Sequence, residues 1–273
     1  MSKIVLIVGL AVVFAAGGYF FLSGNRQAET PTNAVPTQEP SILPVGTPEA
    51  TQTPSAAQAP ASPAQKPTFG TPKKSAHFES STPAHGSVLA LPPVNVVIDV
   101  NFDLASPSSI SITKDGTDYG TSATTIDTNR LAMRRAMQTD TPEGTYTVQY
   151  TACWPDKSCH DGHFQFAIAR SLRSSFSDET GNREVHVRLK DIAFASQNIR
   201  IRPGTTVTWT NDDAVEHYVN TDSHPSHTYF PVQNSQALKT GDAYRVTFSS
   251  PGIYPYHCSA HAATMTGAII VES

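Results

Sequence analysis

Residues able to hold a soft metal ion gather near the end of the sequence. Cys258, His261 and Met265 stand in YPYHCSAHAATM (Tyr254–Met265), and His217 lies 41 residues upstream of the cysteine in TWTNDDAVEHYVN. The pattern Cys-x2-His-x3-Met lets one loop between two strands supply three donors, while His217 comes from a different part of the sheet. One thiolate, two imidazoles and a weak axial thioether make the donor set of a type 1 blue copper site. Thiolate and thioether favour Cu(I), whereas imidazole serves both oxidation states. A geometry fixed by the protein then changes little when an electron arrives, which keeps the barrier small. Backbone N–H groups directed at the sulfur would tune the potential.

Other chemistries fit this loop less well. A Cys hydrolase would need a Gly-rich nucleophile turn or a helix before Cys258, and neither is present. A binuclear copper centre needs two cysteines in the loop, and a multicopper oxidase needs a histidine where Ser259 stands. His257 directly precedes the cysteine, as in copper nitrite reductases, but a site of that kind requires further histidines and a second domain or a trimer. Strand alternation turns His257 away from Cys258, towards the surface or a packing contact. His224 and His227, in SHPSH, read as a surface loop, with a second metal site or copper in transit as the alternatives. No catalytic activity is expected.

The remaining sequence must position and present this loop. Of the 273 residues, the first 76 carry a net charge of +2, residues 77–183 carry −4, and 184–273 carry −2. No basic patch stands out, so nucleic acid is not an expected partner. Three cysteines are too few for a disulfide-dense scaffold or a four-cysteine zinc site. Ile4–Leu22 is an uncharged apolar run of 19 residues between Lys3 and Arg26. It is long enough to span a bilayer as a helix, and bulky Tyr19, Phe20, Phe21 and Leu22 stand where a cleaved signal would end in small residues. We therefore expect residues 1–23 to be a membrane anchor, with a cleaved signal segment as the alternative. Residues 24–76 hold ten prolines among Thr, Ala, Gln and Ser, with no apolar periodicity, and read as a disordered linker.

From His77 to Ile168 the pattern is that of strands. Val94, Val96, Ile98 and Val100 alternate, followed by Ile110 and Ile112, Tyr146, Val148 and Tyr150, then Phe164, Phe166 and Ile168. Pro92-Pro93, Asp115-Gly116, Pro142-Glu143-Gly144 and Asp161-Gly162 punctuate them, as in a β-sandwich of about 90 residues. Cys153 and Cys159, in CWPDKSC, suit a loop-closing disulfide in an oxidising compartment, with a metal site or free thiols as alternatives. That pairing leaves Cys258 as the unpaired cysteine.

Two family resemblances follow from these residues. The stretch HFESSTPAHGSVL, the strand TPEGTYTVQY and Asp161-Gly162-His163 resemble the CopC-like copper-resistance domain over 77–172. The resemblance implies a small β-barrel or sandwich and a second copper site, for Cu(II), at His77, Asp161 and His163. In that family the histidine carries a free amine, whereas His77 follows a long segment here; His160 is an alternative ligand. The family's Cu(I) site is methionine-rich, and only Met133 and Met137 are present. Residues 184–273 resemble the cupredoxins of the plastocyanin, amicyanin and pseudoazurin kind, through Phe194, Ile199–Ile201, Pro203-Gly204, Val207-Thr208-Trp209, Asn211, His217, Phe248, Pro251-Gly252 and Tyr254–Met265. Tyr218 replaces the Asn or Thr often found after the first ligand.

Together these readings imply an all-β protein with two tandem β-sandwich domains, CopC-like and then a Greek-key cupredoxin, behind a transmembrane helix and a linker. The expected function is single-electron transfer between extracytoplasmic redox partners by a membrane-tethered type 1 copper protein. The alternative is copper sequestration or delivery that uses both domains. Copper is the expected cofactor, redox proteins and the membrane are the expected partners, and the expected location is periplasmic or at the cell surface.

Overall fold

The computed structural model describes residues 66–273. The expected anchor at Ile4–Leu22 and the linker up to residue 65 lie outside the described residues. Among the described residues no helix is long and apolar enough to cross a membrane.

The first domain comprises β1 (Phe78–Thr82), β2 (Val88–Leu89), β3 (Asn95–Val100), β4 (Ala105–Lys114), β5 (Thr117–Asp118), β6 (Thr125–Ile126), β7 (Ala132–Ala136), β8 (Gly144–Cys153) and β9 (Cys159–Ile168). They form two sheets, ordered β1-β3-β7-β6 and β2-β9-β8-β4-β5. The period-2 pattern places alternate side chains on one face of each strand. Val96, Ile98, Ile112, Tyr146, Val148 and Phe166 accordingly meet in the core. Met133 and Met137 are buried in that same core, so they fill it. Val94 departs from the expected alternation and packs against the core of the second domain. A disulfide joins Cys153 to Cys159 where β8 and β9 pair.

Residues 70–73, expected as part of the linker, lie along the stretch of β9 that β2 leaves unpaired. Lys73 bridges His163 in antiparallel fashion. Gly70 donates to Gln165 Oε1 at 2.7 Å, and the Ser75 N–H donates to the Tyr150 hydroxyl at 3.0 Å. Unpaired edge groups favour such cover. Polarity and prolines hid this segment from a periodicity reading, because its contacts are made by backbone.

The second domain comprises β10 (Ser177–Asp178), β11 (Glu184–Lys190), β12 (Ala193–Phe194), β13 (Asn198–Ile201), β14 (Thr205–Asn211), β15 (Asn220–Thr221), β16 (Ala243–Phe248), β17 (Gly252–His257) and β18 (Thr266–Val271). Its sheets are ordered β10-β13-β18-β17-β15 and β12-β11-β14-β16. Between them Trp209 and Tyr256 lie edge to face at 5.5 Å, and Phe194 meets Tyr256 at 4.7 Å. Aromatic pairs of this kind add about 0.5–1.5 kcal/mol beyond their buried area. This rigid core carries β17 to its end at His257, immediately before Cys258.

The two domains share an interior. Val97 and Ala132, on the outer face of the first domain, belong to the second domain's core. Asp99 is 1% exposed there and accepts from Thr228 Oγ1 at 2.6 Å, Ser223 Oγ at 2.8 Å and Ser80 Oγ at 2.8 Å. Arg134, paired with Asp127, donates to the carbonyls of Thr228 and Tyr229. The Tyr229 hydroxyl donates to the Ile253 carbonyl and accepts from the Val94 N–H. Gly252 sits at φ +143°, and a Cβ there would lie 3.1 Å from the Pro92 carbonyl, so the close approach of the two segments requires glycine.

Candidate metal centre

His217 lies in the loop between β14 and β15, and one asparagine shapes that loop. Fully buried Asn211 donates through Nδ2 to the carbonyls of Val215 and Leu238, at 2.8 Å each, and its Oδ1 accepts from the Asp213 N–H at 2.9 Å. The backbone of His217 pairs with Leu238 in both directions. Asp213 Oδ2 then lies 2.8 Å from His217 Nε2, which fixes the ring and turns Nδ1 inward. The Ile192 N–H and His217, followed by the Asp191 N–H, hold the Asp213 carboxyl down to about 2 against the opposing effect of burial. A carboxylate on the outer nitrogen orients a ligand histidine and raises its basicity.

The second strand of the site ends in a tight turn. His261 N–H donates to the Cys258 carbonyl, Met265 N–H to the His261 carbonyl and Cys258 N–H to the Met265 carbonyl, each at 2.9 Å. The turn therefore brings the three residues of Cys-x2-His-x3-Met together. Cys258 Sγ lies 3.6 Å from His217 Nδ1 and 3.5 Å from His261 Nδ1. Donors about 2.0–2.3 Å from one ion and near a tetrahedral angle apart are separated by about 3.6 Å. His217 and Cys258 have no exposed surface, and Met265 is buried beside them, while His261 is half-buried. The Tyr218 N–H donates to Cys258 Sγ at 3.3 Å. Because this contact comes from the backbone, the tyrosine side chain at 218 does not remove it.

The expected Cu(II) residues of the first domain are arranged differently. His77 bonds Asn101 through Nδ1 and packs on Phe102 and Trp154. Asp161 accepts from Thr151, and His163 Nε2 lies 3.2 Å from the Thr71 carbonyl. Among the described residues only two groups of three or more His, Cys, Asp or Glu donors lie within 4.8 Å of one another. His77, Asp161 and His163 are not one of them, and the chain that precedes His77 runs beside His163. His160 is exposed.

The second group was not anticipated as a set: His224, His227 and His257. His257 does point away from Cys258, but it is only 3% exposed, so it is not a surface residue. Its Nδ1 lies 3.0 Å from Asp222 Oδ1, and its Nε2 lies 3.1 Å from His227 Nε2. Burial, then the neighbouring His257 and His224, push the His227 imidazole down to about 4. The pattern Asp-x-His-x2-His at 222–227 was the available signal; the third histidine is supplied from β17 by the fold.

Two packed sheets that hold a buried cysteine and two histidines at one end define a copper-binding β-sandwich. Comparison with known proteins gives the family. Residues 182–272 match the model of copper binding proteins of the plastocyanin/azurin family, and residues 78–169 match the CopC domain. The chain is 35% identical over 86 residues to amicyanin-alpha of Methylorubrum extorquens, covering 32% of this chain and 70% of that protein. It is 30% identical over 99 residues to amicyanin of Paracoccus denitrificans, covering 34% and 70%. Among solved structures, a purple cupredoxin from Nitrosopumilus maritimus is 30% identical and covers 32% of this chain and 99% of its own, with a TM-score of 0.29. The chain belongs, through its second domain, to the plastocyanin/azurin family of copper binding proteins, with a CopC domain before it. Copper is the cofactor of both families, and the thiolate and two imidazoles of the second domain fit it.

Proposed function

We propose that the protein is a membrane-tethered, extracytoplasmic electron carrier with a type 1 copper held by His217, Cys258, His261 and Met265. The observation that carries this reading is the buried Cys258 Sγ between two imidazole nitrogens, at 3.5 and 3.6 Å. Bound copper supplies a one-electron couple. Asp213 and Asn211 hold the His217 ring still, and the Tyr218 N–H draws charge from the sulfur and so favours the reduced state. His261 is half-buried beneath Ala260, Ala262 and Ala263, a small apolar rim suited to a redox protein partner. The anchor at Ile4–Leu22 and the linker after it would keep this rim near a membrane.

The test is copper loading of the full chain with optical and redox titration. The expected result is one intensely coloured copper per chain that accepts and returns one electron without loss of metal. Copper loading that gives no visible thiolate band, or loss of the coloured copper on reduction, would overturn the reading. Asp213→Ala should keep the visible band but weaken copper affinity about 10–100-fold, the usual effect of losing a carboxylate behind a ligand histidine. Competition with a chelator measures this.

The CopC match supports a second reading, in which the protein sequesters or delivers copper. It requires Cu(II) at His77, Asp161 and His163, and His77→Ala with His163→Ala would then remove one copper per chain. We expect this pair of substitutions to leave copper content unchanged, because the three residues do not converge.

A further inference from the structure

We propose that His224, His227 and His257 form a second metal site, distinct from the cysteine-centred one, that takes a divalent first-row transition ion, copper(II) foremost. Three histidine ring nitrogens lie within 4.8 Å of one another. His227 Nε2 and His257 Nε2 are 3.1 Å apart, the spacing of two nitrogens about 2.0–2.1 Å from one ion and near 100° apart. Asp222 Oδ1 holds His257 Nδ1 at 3.0 Å, so the other nitrogen of that ring faces the cluster. This repeats the arrangement of Asp213 behind His217, the usual way a carboxylate orients a ligand histidine. Ser259 Oγ, 3.0 Å from His227 Nε2, gives the cluster a further oxygen.

Access and choice of metal follow from the surroundings. His224 and His257 line a cavity of about 370 Å³ that also touches Ser81 and Pro83 of the first domain. His224 is exposed and His227 half-buried, so an ion can enter without unfolding and can keep a water or small anion on its open side. Imidazole suits zinc, copper, iron and nickel, and among divalent ions affinity peaks at copper. The loop that carries His224 and His227 is held by the first domain, through Asp99 on Ser223 and Thr228 and through Arg134 on the Thr228 and Tyr229 carbonyls. The first domain thereby helps to build the site without supplying a ligand.

The test is a Cu(II) titration of the metal-free full chain, with bound metal counted after equilibrium dialysis and read by electron paramagnetic resonance. Two copper ions per chain are expected, one with the visible thiolate band and one without. Cys258→Ser should remove the first and keep the second. His224→Ala should weaken the second at least tenfold and leave the visible band intact, and His224→Ala with His227→Ala should abolish it. The retained band shows that these variants are folded; should the double variant lose it, His224→Gln alone decides, since that residue is exposed. A single copper per chain in the unsubstituted protein, or a second copper unaffected by the His224 variants, overturns the proposal. So does a second copper that is lost with His77→Ala and His163→Ala instead. Failure of the cysteine-centred reading is seen separately, as absence of the band.

Discussion

Cys258→Ser is expected to leave the full chain without a thiolate-to-copper absorption band and with most of its copper-dependent stabilisation lost. The substitution is nearly isosteric and sits at a position with no exposed surface, so the cavity it creates is small. What changes is the donor: the soft thiolate that favours Cu(I) is replaced by a hydroxyl that stays protonated at neutral pH. Loss of a direct ligand should exceed the roughly 10–100-fold that loss of an outer partner costs. A ligand present at 100 times its Kd stabilises a fold by about 2.7 kcal/mol. Copper should therefore raise the unfolding temperature of the unsubstituted chain by several degrees and that of Cys258→Ser by much less. Optical titration and calorimetry on the same samples check both points. An unchanged visible band in Cys258→Ser would show that the sulfur is not a ligand.

The candidate ligand loop was legible as a local group: Cys258, His261 and Met265 are set by one turn, and the turn's own backbone bonds bring them together. His217 was legible from its distance to the loop and from the strand before it. The groups that tune the site were less so. The Tyr218 N–H acts through backbone, so no side chain announced it. Asp213 stands four residues before His217, but only the loop pinned by Asn211 turns the two side chains together. The three-histidine group depends on a loop held in place by the other domain, and no local spacing contains that information.

Strand β3 shows the same division. The alternation of Val96, Ile98 and Val100 puts Val97 and Asp99 on the opposite face of the strand. Val97 broke the polar pattern expected of a solvated face, a sign that the strand is covered on both sides. Asp99 pointed the other way, because a lone carboxylate on an outward face ordinarily meets water. It is buried because the second domain brings hydroxyl donors to it, and that cannot be seen from either stretch alone.

That carboxylate is the place where a single change should separate the domains. Asp99→Ala removes the acceptor of three hydroxyls, from Thr228, Ser223 and Ser80, and leaves them in a buried junction. Hydrogen bonds to a charged group contribute about 1.5–3 kcal/mol each but are not additive, and release of the buried charge offsets part of the loss, so about 2–4 kcal/mol is the expected cost. For a folded unit of this size each kcal/mol moves the midpoint by about 2–4 °C, which places the fall at about 5–15 °C. The shared interior of Val97 and Ala132 should make the unsubstituted chain unfold in one transition, and Asp99→Ala should broaden or split it. Asp99→Asn keeps one acceptor oxygen and should fall between. The cysteine-centred ligands all lie in the second domain, so the visible band should persist at lower temperature, whereas copper at His224, His227 and His257 should bind more weakly as their loop loosens. Calorimetry with copper counting on Asp99→Ala reads all three effects. An unchanged midpoint would mean that the Asp99 bonds contribute nothing to domain docking.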